Sequence, residues 1–150
     1  PFGGHGLSGT GPKAGGPLYL SQFQRNPDLK VKKEELPGPT GESNIYNITP
    51  KSDVFCFGPL GKEDVQWLGD NGIDAAAFEG SIEELCALEK LDLVIGSGPD
   101  LKPLHQKLAQ REGPIVQIRS RDLAMPLLFR ETSVCIDTTA AGGNVDLLGE

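Results

Sequence analysis

The sequence lacks any long apolar run: no stretch approaches the ~18 consecutive apolar residues that suggest a membrane-spanning helix. Its N-terminus, which reads PFGG, has neither the basic segment nor the apolar segment of a secretory signal peptide. We therefore expect a cytoplasmic protein without a membrane span. Because the chain starts without methionine and in the middle of a motif, we also expect it to be a fragment of a longer polypeptide.

Histidine and cysteine are scarce, which limits the chemistry that the chain can support. There are two histidines, His5 and His105, and three cysteines, Cys56, Cys86 and Cys135, with no C-x-x-C pair. Widely spaced cysteines in apolar surroundings are typical of reduced, buried thiols in a cytoplasmic protein. A cysteine nucleophile would need a nearby base, and both histidines are distant in sequence from all three thiols. The sequence therefore predicts no catalytic residue and no metal site in this chain.

Basic residues are also few, since 14 Lys and Arg stand against 21 Asp and Glu and the net charge is −7. Binding to the phosphates of a nucleic acid needs clustered Lys and Arg side chains. The one basic cluster, at residues 30–33, is followed at once by Glu34 and Glu35. We expect no nucleic-acid binding by this chain.

Glycine and proline are abundant in the first third of the chain. Residues 1–50 hold nine of the 20 glycines and seven of the 12 prolines. Glycine permits positive φ and proline fixes φ, so these residues predict an irregular arm rather than a regular element. Within residues 21–50 we predict a linker with one short strand at 45–48. We expect residues 1–35 to be poorly ordered or held only by neighbouring molecules.

From residue 51 onward, apolar strands alternate with helices, as in parallel α/β proteins. Strands are predicted at 54–57, 74–79, 91–95, 115–118 and 133–137, and helices at 62–69, from 82, and from 101. Ser81 begins a capping box, S-x-x-E, and Asp100 is expected to cap the next helix. The pattern predicts a small three-layer Rossmann-like α/β domain with a mostly parallel sheet at 51–131. The Gly/Pro-rich arm (1–50) precedes it, and a C-terminal strand and tail (132–150) follow.

A Rossmann-like domain raises the question of a dinucleotide cofactor. The loop after the strand predicted at 54–57 reads GPLGK (58–62), and the loop after the strand predicted at 91–95 reads GSGPDL (96–101). Neither loop matches G-x-G-x-x-G. Asp100 would also place a carboxylate where a phosphate should bind. These loops favour turn formation, although an independent nucleotide-binding regulatory module stays open as the alternative. A self-contained hydrolase or transferase would lack a nucleophile–base pair.

Three segments of the chain resemble one protein family. Residues 1–20, PFGGHGLSGTGPKAGGPLYL, are similar to the closing signature of the aldehyde dehydrogenase superfamily, in the longer form of its proline utilization A branch. Residues 37–44, PGPTGESN, and residues 133–144, SVCIDTTAAGGN, resemble the far C-terminal region of the same branch. The three segments follow in order and span the chain, whereas residues 51–130 match only in pattern.

The resemblance implies a bifunctional parent enzyme that oxidises proline with FAD and then oxidises L-glutamate γ-semialdehyde (pyrroline-5-carboxylate) to glutamate with NAD. It implies that the catalytic cysteine and the NAD-binding residues lie upstream, so this chain itself holds no cofactor. The chain would be a non-catalytic C-terminal piece that completes the dehydrogenase domain, supports oligomerisation or seals the substrate channel. Its partners would be the rest of the parent polypeptide and a second subunit.

The resemblance also suggests which residues matter in the parent. Phe2 would pack beside the aldehyde substrate. The C-terminal segment would carry the assembly or channel-sealing residues, which are Ser133, Cys135, Asp137, Thr138, Thr139, Ala140, Ala141, Gly142, Gly143 and Asn144. The small side chains among them let another backbone approach closely. The alternative is that this segment is an internal edge strand of the α/β domain with a frayed end.

Overall fold

The computed structural model describes residues 2–4, 7–9, 11–24 and 27–137, which form two β-sheets and five helices. The strands are β1 (Lys32–Leu36), β2 (Glu42–Pro50), β3 (Val54–Phe57), β4 (Ala76–Phe78), β5 (Leu93–Gly96), β6 (Gln117–Arg119) and β7 (Phe129–Asp137). The helices are α1 (Pro17–Ser21), α2 (Gly61–Asp70), α3 (Ile82–Cys86), α4 (Leu101–Leu108) and α5 (Arg121–Ala124), and a 3-10 turn covers Met125–Leu127. None of the helices in these ranges is long and apolar enough to cross a lipid bilayer.

Four short strands form a parallel sheet in the order β4-β3-β5-β6. One of its two central strands, β5, is buried at every position, as expected for a strand that is covered on both faces. One face packs Cys56, Leu93 and Ile95 against Leu68 of α2. The opposite face packs Phe57 and Val94 against residues of α3 and α4. Helices on both faces of a parallel sheet confirm the predicted three-layer, Rossmann-like α/β domain.

The second sheet is antiparallel and has the order β1-β2-β7. Strand β2 pairs along its nine residues with β7, from Glu42 opposite Asp137 to Pro50 opposite Phe129. The sequence predicted only a short strand in this part of the linker and no strand at β1, because β1 reads KKEEL and has no alternating apolar pattern. Pairing with β2, rather than local preference, therefore determines β1.

Strand β7 differs from its prediction in extent and in partner. It begins at Phe129, four residues earlier than predicted, and it pairs with β2 instead of joining the parallel sheet. The description as an internal edge strand of the α/β domain is therefore wrong. The physical reason is long-range pairing: β7 is bonded along its whole length to a strand whose paired residues lie 79 to 95 positions earlier in the chain.

The N-terminal arm is anchored to this framework by one short helix, α1. Leu18 is fully buried and belongs to the same core cluster as Tyr46, Ile48 and Leu128. Ser21, also buried, donates a hydrogen bond to the Leu18 carbonyl oxygen at 2.6 Å. The expectation that residues 1–35 are held only by neighbouring molecules is therefore wrong for α1, because its buried leucine supplies apolar contacts within the chain.

The two predicted helix caps have different outcomes. At α3 the capping box is present, because the Ser81 hydroxyl accepts from the Glu84 amide and the Glu84 carboxylate accepts from the Ser81 amide. At α4, Asp100 occupies the cap position but its side chain makes no capping hydrogen bond. Its backbone, at φ −81° and ψ 2°, is not in the extended conformation typical of a capping residue. The predicted side-chain cap at Asp100 is thus wrong.

The three cysteines are free but differ in exposure. Cys56 is buried, and burial raises the pKa of its thiol to about 12, so it remains protonated at neutral pH. Cys86 is half-buried, whereas Cys135 is exposed on β7, where its thiol donates to a Glu42 carboxylate oxygen at 3.2 Å. The prediction of buried thiols holds for Cys56 and is wrong for Cys135, because the C-terminal part of β7, residues 133–137, is exposed on both faces.

Asp64, in the first turn of α2, is a buried carboxylate on the face of the parallel sheet that α2 covers. Arg121 of α5 approaches it, with 3.6 Å between a guanidinium nitrogen and a carboxylate oxygen. Burial raises the pKa of Asp64 above its ordinary value, and the positive charge of Arg121 opposes this effect. Burial is the larger of the two causes, so the ionised form of Asp64 is disfavoured in the folded chain.

We expect Asp64→Asn to change how stability depends on pH. Because the pKa of Asp64 is higher in the folded than in the unfolded chain, the contribution of this group to stability falls as pH rises through that interval. The asparagine variant lacks this loss, so its stability relative to wild type should rise between acid and neutral pH. Urea unfolding across this pH range is the measurement.

Arg121→Gln provides the control for the same pair. It should destabilise the chain more at neutral pH than in acid, because the positive charge of Arg121 stabilises only the ionised form of Asp64. Stability profiles of Asp64→Asn and wild type that run parallel at every pH would contradict the assigned burial effect.

Candidate functional site

The parallel sheet places one crevice where α/β proteins of this topology bind ligands. Strand β3 has β4 on one side and β5 on the other, and the connections from β3 and β4 leave on opposite faces of the sheet. In open α/β sheets, ligands bind outside the carboxyl ends of the strands at such a switch point. Here the loops that follow β3 and β5 form the walls of this crevice.

These two loops pack directly on each other. The Ser97 amide donates to the Phe57 carbonyl oxygen at 3.0 Å, and the Leu60 amide donates to the Ser97 hydroxyl at 3.1 Å. A Cβ atom added to Gly58 would lie 2.0 Å from the Ser97 carbonyl oxygen. A pyrophosphate needs free amide groups and open space at this point, so these residues do not fit NAD or another dinucleotide. The contacts argue against the nucleotide-binding alternative.

A larger cavity, of about 520 Å³, lies between the antiparallel sheet, the N-terminal arm and the segments that lead into β5 and β6. Three of its charged residues, Lys51, Asp92 and Arg130, contact one another. One Arg130 guanidinium nitrogen contacts both carboxylate oxygens of Asp92, at 3.0 and 3.1 Å. Lys51 donates to the Asp92 carbonyl oxygen at 3.3 Å, and burial lowers the pKa of its ammonium group. These contacts join the two sheets.

The predicted assembly residues lie partly on β7. Ser133, Cys135 and Asp137 are exposed there and alternate along one face of the strand. The other predicted assembly residues, 138–144, lie outside the described residues. On the opposite face of β7, Val134 and Ile136 are 43% and 47% exposed, and Val134 lies opposite Ile45 of β2. Within the described part of the chain, β7 is one of the two outer strands of its sheet, and its second edge is available for pairing.

Phe2 is far from the predicted assembly residues in sequence and is 88% exposed. It forms an antiparallel bridge with Ala14: the two backbone N–O distances are 3.1 and 2.7 Å. Lys13 reinforces this turn, because its ammonium group donates to the Gly3 carbonyl oxygen at 2.5 Å. The Phe2 side chain is therefore held outward on a loop that closes onto residues 13 and 14.

Sequence reasoning missed Glu131, which is fully buried on β7. Its carboxylate accepts a hydrogen bond from the Lys13 amide at 2.7 Å and another from the Tyr46 hydroxyl. The signal that could have identified it is the alternation of β7, where residues 129 and 131 share the inward face. A carboxylate at an inward position indicates a buried polar contact, but its partners are 118 and 85 residues away.

No family model matches the chain. It is nevertheless similar to "Bifunctional protein PutA" from Escherichia coli (strain K12), with 26% identity over 231 aligned positions that cover 99% of the chain. The Rhizobium meliloti protein of the same description is 27% identical over 222 positions, again covering 99% of the chain. The Klebsiella aerogenes protein is 26% identical and covers 95%. These matches confirm the resemblance to proline utilization A.

The chain spans about 18% of the length of these relatives, in their C-terminal part. The 231 aligned positions exceed the 150 residues of the chain, so the Escherichia coli relative carries additional residues within this region. The similarity extends through residues 51–130, where the sequence motifs offered only a pattern.

Proposed function

We propose that this chain is a non-catalytic C-terminal segment of a bifunctional proline-catabolic enzyme of the proline utilization A type. Such an enzyme converts proline to glutamate through pyrroline-5-carboxylate and glutamate semialdehyde. The observation that carries the proposal is the similarity along 95–99% of the chain to the C-terminal part of proteins described as bifunctional PutA. The close contact between the loops after β3 and β5 supports the part of the proposal in which this chain itself binds no dinucleotide.

The role of the segment is to complete the dehydrogenase domain and to contribute to oligomerisation or to sealing of the substrate channel. Support comes from the antiparallel sheet, which joins strands from the first third and the C-terminal end of the chain. The second edge of β7 and its exposed Val134 and Ile136 form a surface that another chain segment can cover. The assembly residues of this proposal are Ser133, Cys135, Asp137, Thr138, Thr139, Ala140, Ala141, Gly142, Gly143 and Asn144.

The rest of the proposal concerns the parent enzyme. Phe2 contacts the aldehyde substrate of the dehydrogenase half, and the upstream polypeptide binds FAD and NAD. The enzyme is cytoplasmic, and its assembly partners are the remainder of the polypeptide and a second subunit. The outward position of Phe2 on the loop that Lys13 and Ala14 close is compatible with a contact to a substrate bound by that upstream part.

Deletion of residues 133–150 from the full-length enzyme tests the assembly role. We expect proline oxidation and NAD-dependent aldehyde oxidation to persist when each is assayed alone, because their active sites lie upstream. Conversion of proline to glutamate should develop a lag, or light scattering should report a smaller oligomer, because β7 then lacks the residues that pair with residues 42–46 of β2. Deletion of residues 145–150 alone is the control and should leave both properties unchanged.

The result that would reject the assembly role is a 133–150 deletion that couples the two reactions without lag and forms the wild-type oligomer. A full-length enzyme without proline oxidation or aldehyde oxidation would reject the proposed function as a whole.

A further inference from the structure

The environment of Glu131 is unusual for a carboxylate. It is 0% exposed, and among the described residues its hydrogen-bond donors are the Lys13 amide and the Tyr46 hydroxyl, which are both neutral groups. Burying a carboxylate is costly unless it is well hydrogen-bonded, so each of these donors offsets part of that cost. Burial and the neighbouring carboxylate raise the pKa of Tyr46, which keeps its hydroxyl protonated as a donor.

Glu131 joins three segments that are distant in sequence. It lies on β7, Tyr46 lies on β2, and Lys13 lies on the N-terminal arm. The arm also passes close to the carboxylate at Gly16, where an added Cβ atom would lie 2.0 Å from a Glu131 oxygen. The backbone of residues 13–16 therefore packs directly against the Glu131 carboxylate. A larger residue at position 16 would push the backbone and the carboxylate apart.

Lys13 and the next residue, Ala14, connect Glu131 to the segment that carries Phe2. The Lys13 amide is held by Glu131, while its ammonium group holds the Gly3 carbonyl oxygen at 2.5 Å. The next residue, Ala14, pairs with Phe2 through two backbone hydrogen bonds. Lys13 thus links the buried Glu131 carboxylate on β7 to the loop that carries Phe2, so that a shift of the carboxylate would also shift the loop.

We propose that Glu131 is a positioning residue for the aldehyde-binding loop, acting through Lys13 on Phe2. This inference rests on the proposed function, because it requires that Phe2 contact the aldehyde in the full-length enzyme. Glu131 itself does not touch the substrate. Its removal changes where the loop lies, and a displacement of about 1 Å in a substrate-positioning group can cost up to about 100-fold in rate.

The test uses the full-length enzyme and separates aldehyde binding from turnover. Glu131→Ala removes the acceptor of the Lys13 amide, and Lys13→Met removes the contact to Gly3 without altering the buried carboxylate. We expect both variants to raise the KM for glutamate semialdehyde by on the order of tenfold, with a smaller change in kcat. Proline oxidation, assayed alone, should stay at the wild-type rate.

Two further variants distinguish positioning from a loss of stability. Glu131→Gln keeps one oxygen for the Lys13 amide and should restore a KM near that of wild type. Tyr46→Phe removes the other donor to Glu131, should lower the Tm, and should leave the KM within about twofold. Because Lys13 is only half-buried, Lys13→Met should fold even where Glu131→Ala does not.

The inference is overturned if an active Lys13→Met enzyme shows a wild-type KM for the aldehyde, or if Tyr46→Phe raises the KM as much as Lys13→Met does. A wild-type enzyme without NAD-dependent aldehyde oxidation would instead reject the proposed function, and this inference with it.

Discussion

Leu18→Ala is expected to lower the free energy of unfolding of the chain by about 2–5 kcal/mol. Leu18 is fully buried and lies in the same core cluster as Tyr46, Ile48 and Leu128. Alanine removes these apolar contacts and leaves a cavity between α1 and the antiparallel sheet, and the structure can relax only partly to fill it. Urea unfolding followed by circular dichroism measures the change as a lower transition midpoint.

Leu20→Ala is the matched control, because Leu20 lies two residues away on the same helix and is 69% exposed. Its substitution should change stability by less than about 0.5 kcal/mol. Equal, small effects of the two substitutions would mean that α1 is not seated in the core. In that case, the expectation that the arm is held only by neighbouring molecules would be restored.

Gly58→Ala should be the second severe substitution, with an expected loss of roughly 2–4 kcal/mol. Gly58 has φ +104°, which L side chains rarely adopt, and an added Cβ would lie 2.0 Å from the Ser97 carbonyl oxygen. The obstacle is backbone, so the two loops must separate to accommodate it. Thermal unfolding is the measurement, and the variant should also lose the contact between Leu60 and Ser97.

Alanine substitutions at two other glycines distinguish the cost of the steric clash at Gly58 from the cost of its positive φ angle. Gly72 has φ +74° with no atom within 4 Å of an added Cβ, so Gly72→Ala should cost only about 1 kcal/mol. Gly69 lies in α2 with a similarly open surrounding, and Gly69→Ala should stabilise the chain by up to about 1 kcal/mol. If Gly58→Ala cost no more than Gly72→Ala, the loops after β3 and β5 would not be in the close contact described.

Much of the α/β domain could be predicted from the sequence because its signals are local. The run at residues 54–57 and the capping box at Ser81 depend on neighbouring residues alone, and both appear where they were expected. The segments that carry the family resemblance are also local, and similarity along 99% of the chain confirms the resemblance itself. The absence of a G-x-G-x-x-G loop is likewise a local signal, and the expectation that this chain binds no dinucleotide stays a prediction.

The candidate site could be predicted only in part. Phe2 and the residues of β7 were identified through the resemblance, and their assigned roles stay predictions. Glu131 was missed because its meaning depends on Lys13 and Tyr46, which are 118 and 85 residues away. Local sequence reveals that a carboxylate falls on an inward strand position, but it does not reveal which donors will satisfy that carboxylate.

By itself, then, the sequence determined the strand–helix alternation of residues 51–131, the capping of α3 and the resemblance of the chain to proline utilization A. Each of these depends on residues that are close together in sequence. Only the tertiary structure decided that β1 is a strand, that β7 joins β2 rather than the parallel sheet, and that Leu18 seats the arm in the core. The physical reason is that hydrogen-bond pairing and apolar burial depend on which segments meet in space. Glu131 is the clearest case, because a buried carboxylate becomes tolerable only once two distant donors surround it.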